Sequence, residues 1–92
     1  MTYTDYAYIC KTLGDQIRLR IFDMLKKGKK CAYKILEKFK ITQPTLSYHM
    51  KMLTQCGIVN SEKDGKLIYY SINQEALKNL VEFLSSQESL LE

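Results

Sequence analysis

Asp64-Gly65 stands between two runs rich in β-forming residues, Ile58 to Lys63 and Lys66 to Ile72. An Asp-Gly pair in that setting is among the strongest local hairpin signals, because glycine reaches positive φ without a steric penalty. In the second run, alternation predicts Ile68, Tyr70 and Ile72 facing inward and Leu67, Tyr69 and Ser71 facing outward. The other segments carry helical spacing, so an otherwise helical chain has to accommodate one hairpin.

A first helix is read over Asp5 to Leu13, with Tyr6, Ile9, Cys10 and Leu13 on one face, and it ends at Gly14. Asp15 can N-cap a second helix, in which Ile17, Ile21, Met24 and Leu25 keep helical spacing, and Gly28 closes it after Lys26 and Lys27. A third runs from about Cys31 to Phe39. Three residues follow, Lys40-Ile41-Thr42, and then a fourth helix begins. Thr42 is a natural N-cap there, and Pro44 falls in the first turn, where its missing N–H costs nothing. This helix stops at Gly57. Asn73 can cap a last helix whose Leu77, Leu80, Val81 and Leu84 form an apolar stripe. The tail after Ser85 is expected to fray.

The order is therefore α-α-α-α-β-β-α: mainly helical with a small β-hairpin, in one domain spanning residues 1–92. Two short helices joined by a tight turn (about 31–56), followed by a hairpin (about 58–72), are the parts of a winged helix-turn-helix. The apolar stripe exceeds what a 92-residue monomer can cover while also filling its core. Helices at about 3–13 and 74–84 are accordingly expected to dimerise, with Tyr6, Ile9, Leu77, Leu80, Val81 and Leu84 as the candidate contacts.

The chemistry concentrates between Ile41 and Leu53. On a helix, Leu46, Met50 and Leu53 fall on one face, and Pro44, Thr45, Tyr48 and Lys51 on the opposite one, with Ser47 on its flank. That outer face holds hydroxyls, a phenol and an amine but no acid, a set suited to base edges and phosphates. Gln43 lies at the N-terminus, where recognition helices first meet bases, and its amide can pair with adenine. The free backbone N–H groups of that terminus add a phosphate site. His49 lies beside the core stripe and is read either as packed or as a base contact. Lys63 and Lys66, around the hairpin turn, suit phosphate or the minor groove. The candidate DNA contacts are thus Gln43, Pro44, Thr45, Ser47, Tyr48, His49, Lys51, Lys63 and Lys66.

Charge follows the same centre. From Lys26 to Lys66 there are ten lysines against Glu37, Glu62 and Asp64, a net of +7, while the rest carries −3 of the overall +4. A basic centre suits a polyanion, here double-stranded DNA. No apolar run approaches the roughly 18 residues of a membrane span, and the N-terminus lacks a signal-peptide pattern, so no membrane partner and a cytoplasmic location are expected. With one histidine, no nucleophile–base pairing at a recognisable spacing and no phosphate-binding glycine loop, an enzyme is not expected. Cys10, Cys31 and Cys56 are an odd set without disulfide or zinc-finger spacing.

Several segments resemble the ArsR/SmtB repressors. Leu13-Gly14-Asp15-Gln16-Ile17-Arg18-Leu19 is similar to the opening of that family, Ile41 to Leu53 to its recognition helix, and Gly57-Ile58-Val59 with Gly65 to Ile72 to its wing. The similarity, strongest to arsenical-responsive members, extends over roughly residues 6 to 84. It implies a homodimer formed by the first and last helices, which binds an inverted repeat, blocks transcription and is released by an effector. The sensor departs from the family. Where arsenical and cadmium/lead sensors carry Glu-Leu-Cys-x-Cys-Asp, this chain has Lys29-Lys30-Cys31-Ala32-Tyr33-Lys34. One thiolate does not make the multi-sulfur site that soft ions favour. No cofactor is therefore expected, and Cys10 and Cys31 remain the metal-ligand candidates. Three readings stay open: a repressor released by a thiophilic or thiol-reactive effector, a repressor with no small effector, and a protein-binding winged-helix module.

Overall fold

The computed structural model describes residues 1–86, so the tail beyond them, including most of the stretch expected to fray, lies outside the described residues. The elements are α1 (Tyr3–Leu13), α2 (Gln16–Leu25), β1 (Lys30–Cys31), α3 (Ala32–Leu36), α4 (Gln43–Gln55), β2 (Val59–Asp64), β3 (Leu67–Ile72) and α5 (Gln74–Ser85). The sheet is antiparallel with order β1-β3-β2.

Side-chain caps set most of the helix starts. Asp15 accepts from the backbone N–H groups of Ile17 and Arg18, Thr42 from Thr45, and Asn73 from Ala76, as their positions in sequence predict. The first helix begins earlier than expected, because Thr2 and Asp5 form a reciprocal capping box ahead of Tyr3.

Three features differ from the sequence-based expectation. Cys31 stands just ahead of α3, as its N-cap residue, and also belongs to a strand. Its backbone is extended, and Lys30 and Cys31 pair with Tyr70 and Tyr69, so the hairpin gains a third strand. A two-residue strand has no periodicity to read, and only its partner across the sheet reveals it. The third helix then ends at Leu36, and Glu37 to Thr42 form a longer connection than three residues. The hairpin turn is also shifted by one residue. Asp64 pairs with Leu67, which leaves Gly65 and Lys66 at the turn, and only Gly65 has positive φ (63°). That is the pattern of a type II′ turn with glycine in its first central position, so Asp64 stays in the strand.

The core gathers Ile9 of α1, Ile21 and Leu25 of α2, Ile35 of α3, Leu46, Met50 and Leu53 of α4, Ile58 and Val59, Tyr70 and Ile72 of β3, and Ala76 and Leu80 of α5. Burial of each large aliphatic side chain contributes about 1.5–3 kcal/mol. Tyr70 and Ile72 face inward as predicted. Ile68 does not reach the core and is 41% exposed, because the hairpin projects past the helices that would cover it.

Asn73 links the two ends of the wing. It caps α5, its Nδ2 donates to the Gly57 carbonyl at 3.0 Å, and its backbone N–H donates to Ile58 at 2.9 Å. Asn73→Ala removes the first two contacts and leaves the Gly57 carbonyl without that donor. It is expected to lower stability by about 1–3 kcal/mol in urea denaturation. An unchanged midpoint would show that the cap and the Gly57 contact are dispensable.

Candidate nucleic-acid interface

Three apolar residues fix what α4 presents outward. Leu46 (3% exposed), Met50 (1%) and Leu53 (0%) lock one face of the helix into the core. Gln43, Pro44, Thr45, Ser47, Tyr48 and Lys51 are consequently all exposed, on a helix with no acidic residue. Tyr48 is 57% exposed, a large aromatic held at the surface.

At the N-terminus the Thr42 hydroxyl accepts from the Thr45 N–H at 3.3 Å and donates to the Thr45 hydroxyl at 3.0 Å. The Thr45 hydroxyl therefore keeps its own proton for an outside acceptor. The backbone donors expected there are fewer than the sequence suggested. Pro44 has no N–H and the cap uses that of Thr45, which leaves Gln43 as the uncapped donor of the first turn.

His49 is not on this face. It is 7% exposed, and its Nδ1 lies 3.2 Å from a guanidinium nitrogen of Arg18. Among the candidate DNA contacts it is the one that the fold turns inward, because it follows Tyr48 round the helix toward the core stripe.

The wing supplies the second surface. Lys63 pairs across the hairpin with Ile68, and Glu62 with Tyr69. Alternation then puts Lys63 and Ile68 on the face that continues into the core through Val59 and Tyr70, and Glu62 and Asp64 on the other. A groove of about 440 Å³ between α3, α4 and the wing is lined by Gln43 and Ser47 from α4, by Lys66, and by Tyr33, Leu67 and Ile68. Three of the expected contact residues thus share one groove. Tyr33, Leu67 and Ile68 were not among the sequence-based candidates, yet each is more than 40% exposed there. Apolar groups beside polar ones suit the sugar edge or a thymine methyl.

The candidate dimer residues separate into two groups. Ile9 and Leu80 are taken up by the core of their own chain, and Tyr6 stacks on Phe83 with ring centroids 4.2 Å apart. Leu77 packs partly against the core. Val81 (52%) and Leu84 (64%) remain exposed, as do Tyr3 and Tyr8 on α1.

The thiols do not assemble within one chain. Cys10 is exposed on α1, Cys31 is half-buried at the start of α3, and Cys56 is buried with its Sγ 3.3 Å from the Leu53 carbonyl. Around Cys31 lie Lys29, Lys30, Lys34 and Lys38, with a single acid, Glu37, in ion-pair range of Lys34. Among the described residues no three His, Cys, Asp or Glu side chains are grouped to hold a metal. A lone thiol among ammonium groups does not fit a soft cation.

Comparison with known proteins agrees with this geometry. The family described as "bacterial regulatory protein, arsR family" matches residues 15–61. An arsenical resistance operon repressor of Staphylococcus aureus is 40% identical over 85 residues, which cover 92% of this chain and 82% of that protein. The crystal structure of an ArsR family transcriptional regulator superposes with a TM-score of 0.86 over 99% of this chain and 94% of its own; at 20% identity it shows the fold. A homodimeric winged helix-turn-helix DNA-binding domain from Mycobacterium bovis, solved by NMR, superposes with a TM-score of 0.74 at 25% identity, covering 97% of this chain and 85% of its own.

Base contacts and phosphate contacts separate on substitution. Gln43→Ala and Tyr48→Ala are each expected to reduce preference for a specific site by about 1–3 kcal/mol. Lys66→Ala should weaken specific and random DNA alike and flatten the salt dependence by roughly one unit. Equal losses on specific and random duplexes for Gln43→Ala and Tyr48→Ala, measured by fluorescence anisotropy, would remove the base-reading role.

Proposed function

The chain belongs to the arsR family of bacterial regulatory proteins, DNA-binding transcriptional regulators rather than enzymes, and on that premise we propose that it is a homodimeric repressor that occupies an inverted-repeat operator. The observation that carries this reading is the acid-free outer face of α4, with six exposed polar or proline side chains backed by three buried apolar ones. The wing lysines, Lys63 and Lys66, hold the adjoining phosphates. Two-fold pairing is supported by the exposed Tyr3, Tyr8, Val81 and Leu84, an apolar surface on the first and last helices. Two such chains related by a dyad present two copies of α4 to two half-sites, so the operator repeats with the symmetry of the protein. The M. bovis relative is described as a homodimer. Among the described residues no helix is long and apolar enough to cross a membrane, and a cytoplasmic location suits a protein that meets DNA.

Repression is read here as simple occupancy. Release by a soft ion is disfavoured by ligand count: Cys31 has Tyr33 where a second thiol would sit two positions on, and lysines surround it. A tyrosine hydroxyl, with a pKa near 10, is mostly protonated at neutral pH and is a harder donor than sulfur.

Two measurements bear on these claims. Sedimentation at micromolar concentration is expected to show a dimer, and selection from a random-sequence duplex pool to return an inverted repeat. A monomer, or a pool without enrichment, would sink the repressor reading. Competition titration of the reduced protein with As(III), Cd(II) or Pb(II) is expected to show binding weaker than at a two-thiolate site, or none. Tight stoichiometric binding abolished by both Cys10→Ser and Cys31→Ser, and coupled to DNA release, would instead establish a thiolate site between subunits.

A further inference from the structure

We infer that Arg18 is the positioning residue of the recognition helix, holding α4 at its DNA-reading angle by donating at once to the end of α1 and to an unprotonated His49. This rests on α4 being the helix that reads DNA. Arg18 lies in α2, three residues after the cap Asp15, and its side chain is 13% exposed. Its Nε donates to the Thr12 carbonyl at 2.7 Å, and a terminal guanidinium nitrogen reaches His49 Nδ1 at 3.2 Å. The Thr12 carbonyl belongs to the last turn of α1, where carbonyls have no partner within the helix. Thr12 is itself buried, and its hydroxyl is spent on the Tyr8 carbonyl at 2.9 Å. One planar side chain therefore joins three helices.

The chemistry of the donor fixes the state of the acceptor. A guanidinium has donors only, so His49 Nδ1 must accept, and the ring carries its proton on Nε2. A proton added at Nδ1 would break the contact and set two cations against each other. The charged groups tied to the ring are Arg18, at 3.2 Å, and Asp15, both from α2, and α4 itself sets the ring of Tyr48 beside it, edge-on at 5.7 Å. Asp15 is held below the usual carboxylate range, first by the backbone N–H of Arg18, so it is already ionised when histidines titrate. Because Tyr48 is the neighbour of His49 on α4, a shift of His49 moves an exposed DNA-facing side chain with it.

The consequence is specific. Loss of the Arg18–His49 link should cost base selectivity, which depends on orientation, more than phosphate attraction, which depends on charge. Lysine cannot replace Arg18, since one nitrogen cannot reach both acceptors in the arginine geometry. Asparagine can replace His49, since its Oδ1 takes the place of Nδ1 as an acceptor.

The test uses the full-length protein, a duplex it selects from a random pool, and a scrambled duplex of equal composition. His49→Leu and Arg18→Lys are expected to lose about tenfold or more in preference for the selected duplex, the worth of one or two base contacts, with the salt slope unchanged. His49→Asn should retain the preference. Nitrogen NMR of the free wild-type protein, which needs no variant to fold, should show His49 protonated at Nε2 and bare at Nδ1 near neutral pH. A proton on Nδ1 there would overturn the inference, as would folded His49→Leu and Arg18→Lys proteins that select like the wild type. If no duplex can be selected, the DNA-reading assignment fails, and the imidazole signal still decides the Arg18 link.

Discussion

The burial of Leu46, Met50 and Leu53 is the contact on which the rest of the molecule depends. These three side chains set the rotation of α4 about its own axis. With that rotation fixed, every polar residue from Gln43 to Lys51 except His49 is turned to solvent. The same core is closed from the other side by Ile9 and Ile21 of the first two helices and by Val59 and Ile72 of the sheet. Packing thus decides which groups can meet DNA. An isolated helix of this length would be marginal, so its presentation surface is a product of tertiary burial rather than of local propensity.

The wing shows the same dependence in another form. A two-stranded ribbon is at best marginally stable alone. Here it is anchored at its base by Val59, Tyr70 and Ile72, by the contacts of Asn73 to Gly57 and Ile58, and by the short strand β1 along its β3 edge. Its tip is left free of the core, with Lys63 and Lys66 exposed and Gly65 making the turn. Pairing through β1 also places Cys31 beside β3 rather than inside a helix, among lysines of the α2–α3 connection.

Much of this could be read from the residues. Asp15, Thr42 and Asn73 announced three helix starts, because caps act over three residues and need no tertiary context. The stripe of Leu46, Met50 and Leu53 oriented the recognition helix through its period alone. The features that escaped were those that only distant segments create. β1 exists because Tyr69 and Tyr70 lie alongside it. His49 was ambiguous because a residue beside an apolar stripe can turn either way, and Arg18, thirty-one positions earlier, decides it. Ile9 and Leu80 looked available to a second chain, but their own core buries them. Tyr33, Leu67 and Ile68 gave no sign of bordering a groove: alternation turned Ile68 inward and Leu67 outward, and only the packing of α3 and α4 beside the wing brings the three together.

The most direct measurement is an amide NMR titration of the protein with a duplex that it selects. The expected result is that signals from Gln43 to Lys51 and from Lys63 to Leu67 move together and saturate at one α4 per half-site. The backbone of α5 should stay in place. Shifts confined to α1 and α5, or to the lysines of the α2–α3 connection with α4 unmoved, would contradict the assignment of α4 as the surface that reads DNA.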